Sequence, residues 1–274
     1  MRQIIINILL IALLAMAFPF HTSGNVKQID FNYPQDVSKE ALADLDKAMK
    51  VGDGQETVNA LVRYSIAQSG ISQENMPKII DQIETVIKKE KQPHVRALLN
   101  YFEALIYNGY CDRYGWGRKR NNPVEEMPTD VTEWDRSQFE RKIMELCDKS
   151  LADMEALKQV PVTSLPKVLV YNDLGATYVP TLFEFMTIKN LDLLRGIEDA
   201  DPICRSLKER WLKETEGNVP AHIYAMTNTG KSITKEDYAK YSDSEYCAEL
   251  LKQISFNDRK ERYETLKVYV KRFP

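Results

Sequence analysis

The sequence predicts an all-α fold, and three observations lead to that prediction. Apolar residues recur three and four positions apart in one segment after another, as on the buried face of an amphipathic helix. Ser, Asp, Pro and Gly stand between these segments, where helices typically begin and end. No ladder of strands is visible, so we expect the helices to pack on one another as an irregular solenoid or bundle of antiparallel hairpins.

The first 24 residues have the layout of a secretory signal peptide. Arg2 precedes the apolar run 4–20. Thr22 and Gly24 place small residues at the minus-three and minus-one positions of a cut after Gly24. The run is also about long enough to span a bilayer, so an uncleaved membrane anchor is the alternative. If the segment is cleaved, we expect a periplasmic or secreted protein. If it stays uncleaved, we expect the protein to contact the membrane only through this segment.

The mature chain divides into an extended segment, residues 25–37, and a helical domain, residues 38–274, with a candidate sub-boundary in the loop 112–132. Four amphipathic helices joined by short turns open this domain. Ser38 and Ser72 are predicted N-caps, Pro93 begins the fourth helix, and Gly52 and Gly70 end the first two. The apolar positions that define the buried faces are Ala41, Leu42, Leu45, Met49, Val58, Leu61, Val62, Ile66, Ile79, Ile80, Ile83, Val86, Ile87, Leu98, Leu99, Phe102, Leu105 and Ile106.

The second half of the domain is also predicted to be helical. One long helix is expected over residues 132–159, and the stretch 168–170 is consistent with either a short strand or the edge of a helix. A helix with a broad apolar face follows Pro180. Asp201 and Gly217 are the predicted cap and stop of the next one, and two further helical segments occupy 244–254 and 258–274.

The end of the chain lacks the polar capping helix that normally closes a solenoid. Val268, Val270 and Phe273 belong to the last patterned helix, and the sequence stops at Pro274. This pattern predicts a fragment or shortened version of a longer protein. Since no fixed repeat period is present, the arrangement is expected to be similar to a tetratricopeptide array without being a strict one.

One stretch, residues 110–120, mixes aromatic with basic side chains, and we call it the candidate binding segment. Interleaved aromatic and basic residues can stack on a ligand or hold an acidic peptide. The alternative is an ordinary exposed loop whose aromatic rings pack onto the neighbouring helices. Its candidate partner-binding residues are Tyr110, Arg113, Tyr114, Trp116, Arg118, Lys119 and Arg120.

A loose phosphate-loop pattern occurs at residues 225–232, but its context argues against a nucleotide site. Such a loop requires a buried strand before it and a helix directly after it, whereas Pro220 favours the first turn of a helix. Thr234 and Asp237 resemble a capping box that would start the next helix later. The net charge of -3 gives no field that would attract nucleic acid, so no nucleic-acid partner is expected.

No motif in the chain predicts catalysis, a cofactor or a metal. His94 and His222 lie outside any zinc-binding pattern, and the sequence has no nucleophile elbow and no CxxC pair. We therefore expect a protein that is not an enzyme, with no catalytic, cofactor-binding or metal-binding residues. The four cysteines, Cys111, Cys147, Cys204 and Cys247, are compatible with two disulfides or with buried thiols.

Several stretches resemble the N-terminal helical region of very large bacterial alpha-2-macroglobulin-like proteins. They are residues 31–91, beginning FNYPQDVSKEALADLDKAMKVGDGQETVNAL, residues 120–157, RNNPVEEMPTDVTEWDRSQFERKIMELCDKSLADMEAL, and the stretch YVPTLFEF that follows. Full-length members of that family carry an export signal, the helical region and then β-sandwich domains. Many trap proteases through a thioester in a Cys-x-Glu-Gln motif.

This chain departs from the family in two ways. Its four cysteines are followed by DRY, DKS, RSL and AEL, so the thioester motif is missing, and there is no room for the sandwich domains. The resemblance then implies export and a non-catalytic scaffold or docking role, with a protein or the missing downstream domains as partner. The alternatives are a peptide- or glycan-binding helical-repeat protein and, third, a hydrolase with an unrecognised site.

Overall fold

The computed structural model describes residues 33–114, 128–171, 173–197, 201–228 and 259–272. These residues contain α-helices and short 3-10 turns but no strand, which confirms the all-α prediction for them. No helix in the described ranges is both long and apolar enough to cross a membrane. The predicted signal peptide lies outside these ranges. The α-helices are α1 (Pro34–Val51), α2 (Gly54–Ile71), α3 (Met76–Lys89), α4 (Pro93–Tyr114), α5 (Arg136–Ser150), α6 (Met154–Lys158), α7 (Asp173–Tyr178), α8 (Leu182–Leu193), α9 (Pro202–Thr215), α10 (Val219–Asn228) and α11 (Arg259–Arg272).

The chain forms two compact units, Met1–Met186 and Thr187–Pro274. In the first unit α1 packs along α2 and α4 packs along α5 as the two most extensive helix pairs. Its largest fully buried side chains are Phe102, Phe139, Phe183, Leu45, Leu61, Ile83, Leu98, Leu99, Ile143, Leu146 and Leu151. Nearly all of these are positions that the helical spacing predicts to be buried.

The first helix begins at Pro34, four residues before the predicted cap, so the prediction of an extended segment through residue 37 is wrong at its end. Proline suits the first helical position because its fixed φ fits a helix. It has no N–H, and an N–H at that position would have no partner within the helix. Ser38 is buried inside α1, where its hydroxyl accepts a hydrogen bond of 2.7 Å from Gln68 on α2. Tertiary contact with α2 therefore replaces the expected capping role.

The turn between α1 and α2 depends on a short run of small and acidic residues. Gly52 has a φ of 74°, the left-handed conformation that favours glycine, and it ends α1 as predicted. Asp53 then caps α2 by accepting a 3.0 Å hydrogen bond from the backbone N–H of Glu56. Arg63 of α2 forms a 2.9 Å salt bridge with Asp44 of α1 and a 2.8 Å salt bridge with Glu56 of its own helix.

The prediction that Gly70 ends the second helix is wrong by one residue, because α2 continues to Ile71. Ser72 does act as a cap, but for a 3-10 turn, Gln73–Asn75, and α3 begins only at Met76. The Ser72 side chain accepts a 3.2 Å hydrogen bond from the N–H of Glu74. Pro93 begins α4 as predicted.

The single long helix predicted over residues 132–159 is broken in the structure. It starts late, because Asp135 and Gln138 form a capping box in which each side chain binds the other residue's backbone N–H. It also stops at Ser150, whose hydroxyl donates a 2.7 Å hydrogen bond to the Cys147 carbonyl, and Leu151 turns fully into the core. The short helix α6 follows after that turn.

The stretch 168–170 is neither a strand nor part of a helix; Val168 and Leu169 are buried in a turn. An isolated antiparallel bridge between Pro161 and Thr181 lies nearby. The turn that holds Val168 is hydrogen-bonded to the start of α2. The Gln55 side chain donates a 3.2 Å hydrogen bond to the Ser164 carbonyl and accepts one of 3.1 Å from the Lys167 N–H.

In the second unit, Asp201 caps α9 as predicted, accepting hydrogen bonds of 2.8 and 3.1 Å from the N–H groups of Ile203 and Cys204. That helix ends at Thr215, two residues before the predicted stop at Gly217. Trp211 is its largest fully buried side chain. The predicted segment 244–254 lies outside the described residues, whereas most of 258–274 forms α11.

Candidate functional site

The structure places part of the candidate binding segment on a helix. Tyr110, Arg113 and Tyr114 occupy the last turns of α4, so the prediction that a loop begins at residue 112 is wrong. The remaining four candidates, Trp116, Arg118, Lys119 and Arg120, lie outside the described residues. Their predicted role in partner binding therefore stays a prediction.

An aromatic cluster lies beside the described half of this segment; it consists of Tyr107 and Tyr110 on α4, Trp134 before α5, and Phe139 on α5. The Tyr107 and Trp134 rings are stacked, with centroids 5.5 Å apart and planes 4° from parallel. Phe139 meets the Trp134 ring at 5.3 Å and the Tyr110 ring at 6.1 Å, both tilted. These are the separations at which aromatic pairs attract beyond simple burial.

The cluster fixes the chain on both sides of residues 115–127. On one side Tyr107 and Tyr110 belong to the end of α4. On the other, the Trp134 indole N–H donates a 2.7 Å hydrogen bond to the Pro128 carbonyl, which satisfies the one polar group of a buried ring. Packing of Tyr110 onto α5 agrees with the alternative that the aromatic residues cover neighbouring helices.

Charged groups at this end of α4 are paired with one another. Arg136 at the start of α5 binds Glu140 at 2.6 Å. Burial raises the pKa of the Asp112 carboxyl, and the nearby Arg136 guanidinium opposes that rise.

Cys111 follows Tyr110 on α4, and its environment keeps its thiol protonated. Burial raises the pKa of the Cys111 thiol to about 11, with the Arg136 charge only partly opposing it. A thiol with such a pKa is almost entirely un-ionised near neutral pH, and only the thiolate is a good nucleophile. Cys147 and Cys204 are also buried, no disulfide joins any two of these three, and Cys247 lies outside the described residues.

The structure describes His94 and His222, which lie on different helices. His94 lies in the first turn of α4, where burial lowers its pKa and Glu90 opposes the shift. In the second unit, the His222 Nδ1 atom lies 3.0 Å from the Leu212 carbonyl and 3.3 Å from the Thr215 hydroxyl, next to the end of α9. Among the residues that the structure describes, no group of His, Cys, Asp and Glu could hold a metal.

The phosphate-loop pattern begins on a helix. Residues 225–228 form the end of α10, and Pro220 lies at its first turn as the sequence predicts. In a phosphate loop these residues would form the loop itself, after a buried strand, so a helix at this place argues against a phosphate site. The remainder of the pattern lies outside the described residues.

The sequence analysis missed one residue with an unusual environment, Glu103 on α4. Its side chain is 1% exposed and its Oε1 atom has no hydrogen-bond partner in the part of the chain that the structure describes. A signal was present, because Glu103 follows Leu99 by four residues and precedes Tyr107 by four, on an otherwise apolar face.

Comparison with known proteins adds no relative: no protein-family model, no curated protein and no solved structure matches the chain.

Proposed function

We propose that the chain is an exported, non-catalytic helical scaffold that binds a protein partner through the candidate binding segment. The observation that carries this proposal is that the aromatic cluster and the Trp134–Pro128 hydrogen bond join the described residues that flank 115–127 in the sequence. A segment held at both ends loses less conformational entropy when it binds, so it is suited to recognition. Its basic residues favour a partner with an acidic surface.

The environment of Cys111 and the helix pairs support the same proposal. The raised pKa of the thiol speaks against a cysteine nucleophile at this site. The pairing of α1 with α2 and of α4 with α5 supports an arrangement of hairpins similar to tetratricopeptide repeats in the first unit. The resemblance to the helical region of alpha-2-macroglobulin-like proteins suggests that downstream domains of such a protein could be the partner.

Partner binding can be tested with a photo-crosslinking amino acid in place of Lys119, in cells of a bacterial host that naturally carries the gene. The matched control carries the same amino acid at Lys88, a side chain of α3 that is 74% exposed. We expect a protease-sensitive crosslinked product at position 119 that is absent at position 88. The triple variant Arg118→Ala, Lys119→Ala, Arg120→Ala should reduce pull-down of the crosslinked protein in a salt-dependent manner.

Equal crosslinking at both positions, or none at position 119, would contradict the proposal. A product that resists protease but is removed by glycosidases would favour the glycan-binding alternative.

Export can be tested separately by intact mass measurement of the protein from cell fractions. We expect a chain beginning at Asn25 in the exported fraction. Leu10→Arg, which places a charge in the apolar run, should leave the uncleaved chain inside the cell. An exported chain that keeps residues 1–24 would instead favour the membrane anchor.

A further inference from the structure

Glu103 belongs to α4 and is buried in the first unit, where charged residues of α3 and α5 face it. Its immediate neighbour Phe102 is fully buried, and so is Leu99 one turn before it. A carboxylate without a hydrogen bond or ion pair is costly in such a place, and the neutral acid is much less so. The protonation state of this one side chain is therefore coupled to how well the surrounding helices pack.

The charged groups that face Glu103 come from both neighbouring helices. Glu84 on α3 and Glu145 on α5 oppose its negative charge, while Lys142 and Lys149 on α5 favour it. Tyr107, one turn further along α4, has its own pKa raised by burial and by the Glu103 charge.

Glu145 binds both of the lysines that favour the Glu103 charge. The Lys149 ammonium lies 2.5 Å and the Lys142 ammonium 3.9 Å from the Glu145 Oε1 atom. Lys142 also lies over the Tyr107 ring, 5.8 Å from its centroid. Both cations are thus paired with Glu145, and among the described residues neither forms a salt bridge with Glu103.

We propose that Glu103 is a proton-controlled switch in the fold: the neutral carboxyl allows α3, α4 and α5 to pack closely, and its ionisation loosens them. Tyr107 transmits the change, because it lies one turn from Glu103 and stacks on Trp134. Ionisation then weakens the aromatic cluster that fixes both sides of residues 115–127. The switch itself does not depend on the function proposed above.

The direction of the pH dependence follows from the pKa of Glu103, which burial raises from 4.5 to about 7. Because the folded state holds this proton more tightly than the unfolded state, the stabilisation is complete at acidic pH. It is lost as the pH rises through the folded-state pKa. Between about pH 5 and about pH 8, the group alone changes the folding equilibrium constant by about a hundred-fold, with folding weaker at the higher pH.

The first experiment compares urea unfolding of the mature protein and of Glu103→Gln at both pH values. Gln keeps the shape of the neutral acid but cannot ionise. We expect the mature protein to lose about a hundred-fold more in its folding equilibrium constant than Glu103→Gln across the same interval. Glu155→Gln is the matched control, since that side chain is 83% exposed, and it should behave as the unsubstituted protein does. Equal losses for Glu103→Gln and the control would overturn the proposal.

Two measurements on the unsubstituted protein keep the proposal testable if Glu103→Gln fails to fold. In carboxyl-carbon NMR, the Glu103 resonance should titrate with a midpoint near the pKa of about 7. A midpoint at the ordinary value for glutamate would overturn the proposal. Hydrogen exchange, corrected for intrinsic rates, should be faster at the higher pH in residues 103–111 and 131–147. Unchanged protection there would refute the loosening.

Discussion

Gly54, the first residue of α2, shows how one missing methyl group sets the distance between two helices. A Cβ atom at this position would collide with the Cγ2 atom of Val95 on α4 and lie 3.3 Å from the Gln92 side chain. We predict that Gly54→Ala destabilises the protein by about 1–3 kcal/mol, because α2 and α4 must move apart. Urea unfolding monitored by circular dichroism measures the change.

Gly70 near the end of α2 provides the matched control. A Cβ atom there has ordinary contact with Pro34, at 3.6 Å. We expect Gly70→Ala to stabilise the protein by about 0.5–1 kcal/mol through the higher helix propensity of alanine. If both substitutions changed the unfolding free energy in the same direction, close packing at Gly54 would not be its distinguishing property.

Glu145 provides a second prediction for a single residue, because it binds the two lysines that could otherwise pair with Glu103. Replacing it by Gln removes a negative charge near Glu103 and releases both ammonium groups. Both effects favour the ionised carboxyl, so Glu145→Gln should lower the pKa of Glu103 from about 7 towards its ordinary range. Carboxyl-carbon NMR measures the titration midpoint directly.

Glu140→Gln on the same helix is the control for that titration. Glu140 pairs with Arg136 and does not contribute to the pKa of Glu103. Its substitution should leave the midpoint of Glu103 where it is. A rise in the midpoint with Glu145→Gln would mean that Glu145 supports the Glu103 charge, contrary to the geometry.

At the scale of elements, the capping box of Asp135 and Gln138 defines where α5 begins. The Asp135 side chain accepts a 3.0 Å hydrogen bond from the backbone N–H of Gln138, and the Gln138 side chain accepts one of 2.9 Å from the backbone N–H of Asp135. We predict that Asp135→Ala costs about 1–2 kcal/mol of stability, measured by urea unfolding, because an N–H at the start of α5 loses its acceptor.

Asp135→Asn should recover most of that loss, since asparagine retains an oxygen that can cap the helix. Equal destabilisation by Ala and Asn would attribute the effect to the charge of Asp135 and not to capping.

The boundaries of the helices show which local signals could be trusted. Gly52 and Asp201 act as the sequence predicts, because a left-handed turn and an N-cap are decided within a few residues. Ser38 was misread because its hydroxyl has a better partner in Gln68, thirty residues away. The helical pattern continues through Leu151, so it does not indicate the end of α5 at Ser150, where the hydroxyl bonds the Cys147 carbonyl.

At the scale of the whole molecule, the described helices predict the far-ultraviolet circular dichroism of the mature chain. We expect the double minimum of an α-helical protein, which is lost when the protein unfolds on heating or in urea. A spectrum with the single minimum of β-structure would contradict both the sequence pattern and the structure. A control spectrum of Glu103→Gln should overlay that of the unsubstituted protein at acidic pH.

The candidate site shows the same division between what neighbouring residues and distant residues decide. Aromatic and basic side chains in residues 110–120 could be read directly from the sequence, and Tyr110 does lie at an aromatic cluster. The contribution of Trp134 and Phe139 to the aromatic cluster could not be predicted. It requires that α4 and α5, which residues 115–127 separate in the sequence, pack against each other. Glu103 stands out in the sequence as a charge on an apolar face, but its burial next to α3 and α5 depends on how the three helices pack.

The sequence by itself determined the helical class, most buried positions and the caps made by residues close along the chain. These follow from helical periodicity and backbone preferences, which act over one or two turns. Tertiary structure alone decided that Ser38 bonds another helix, that Leu151 ends α5, and that Glu103 is left unpaired. Those outcomes depend on the competition between distant side chains for space, hydrogen bonds and charge, and sequence spacing does not record that competition.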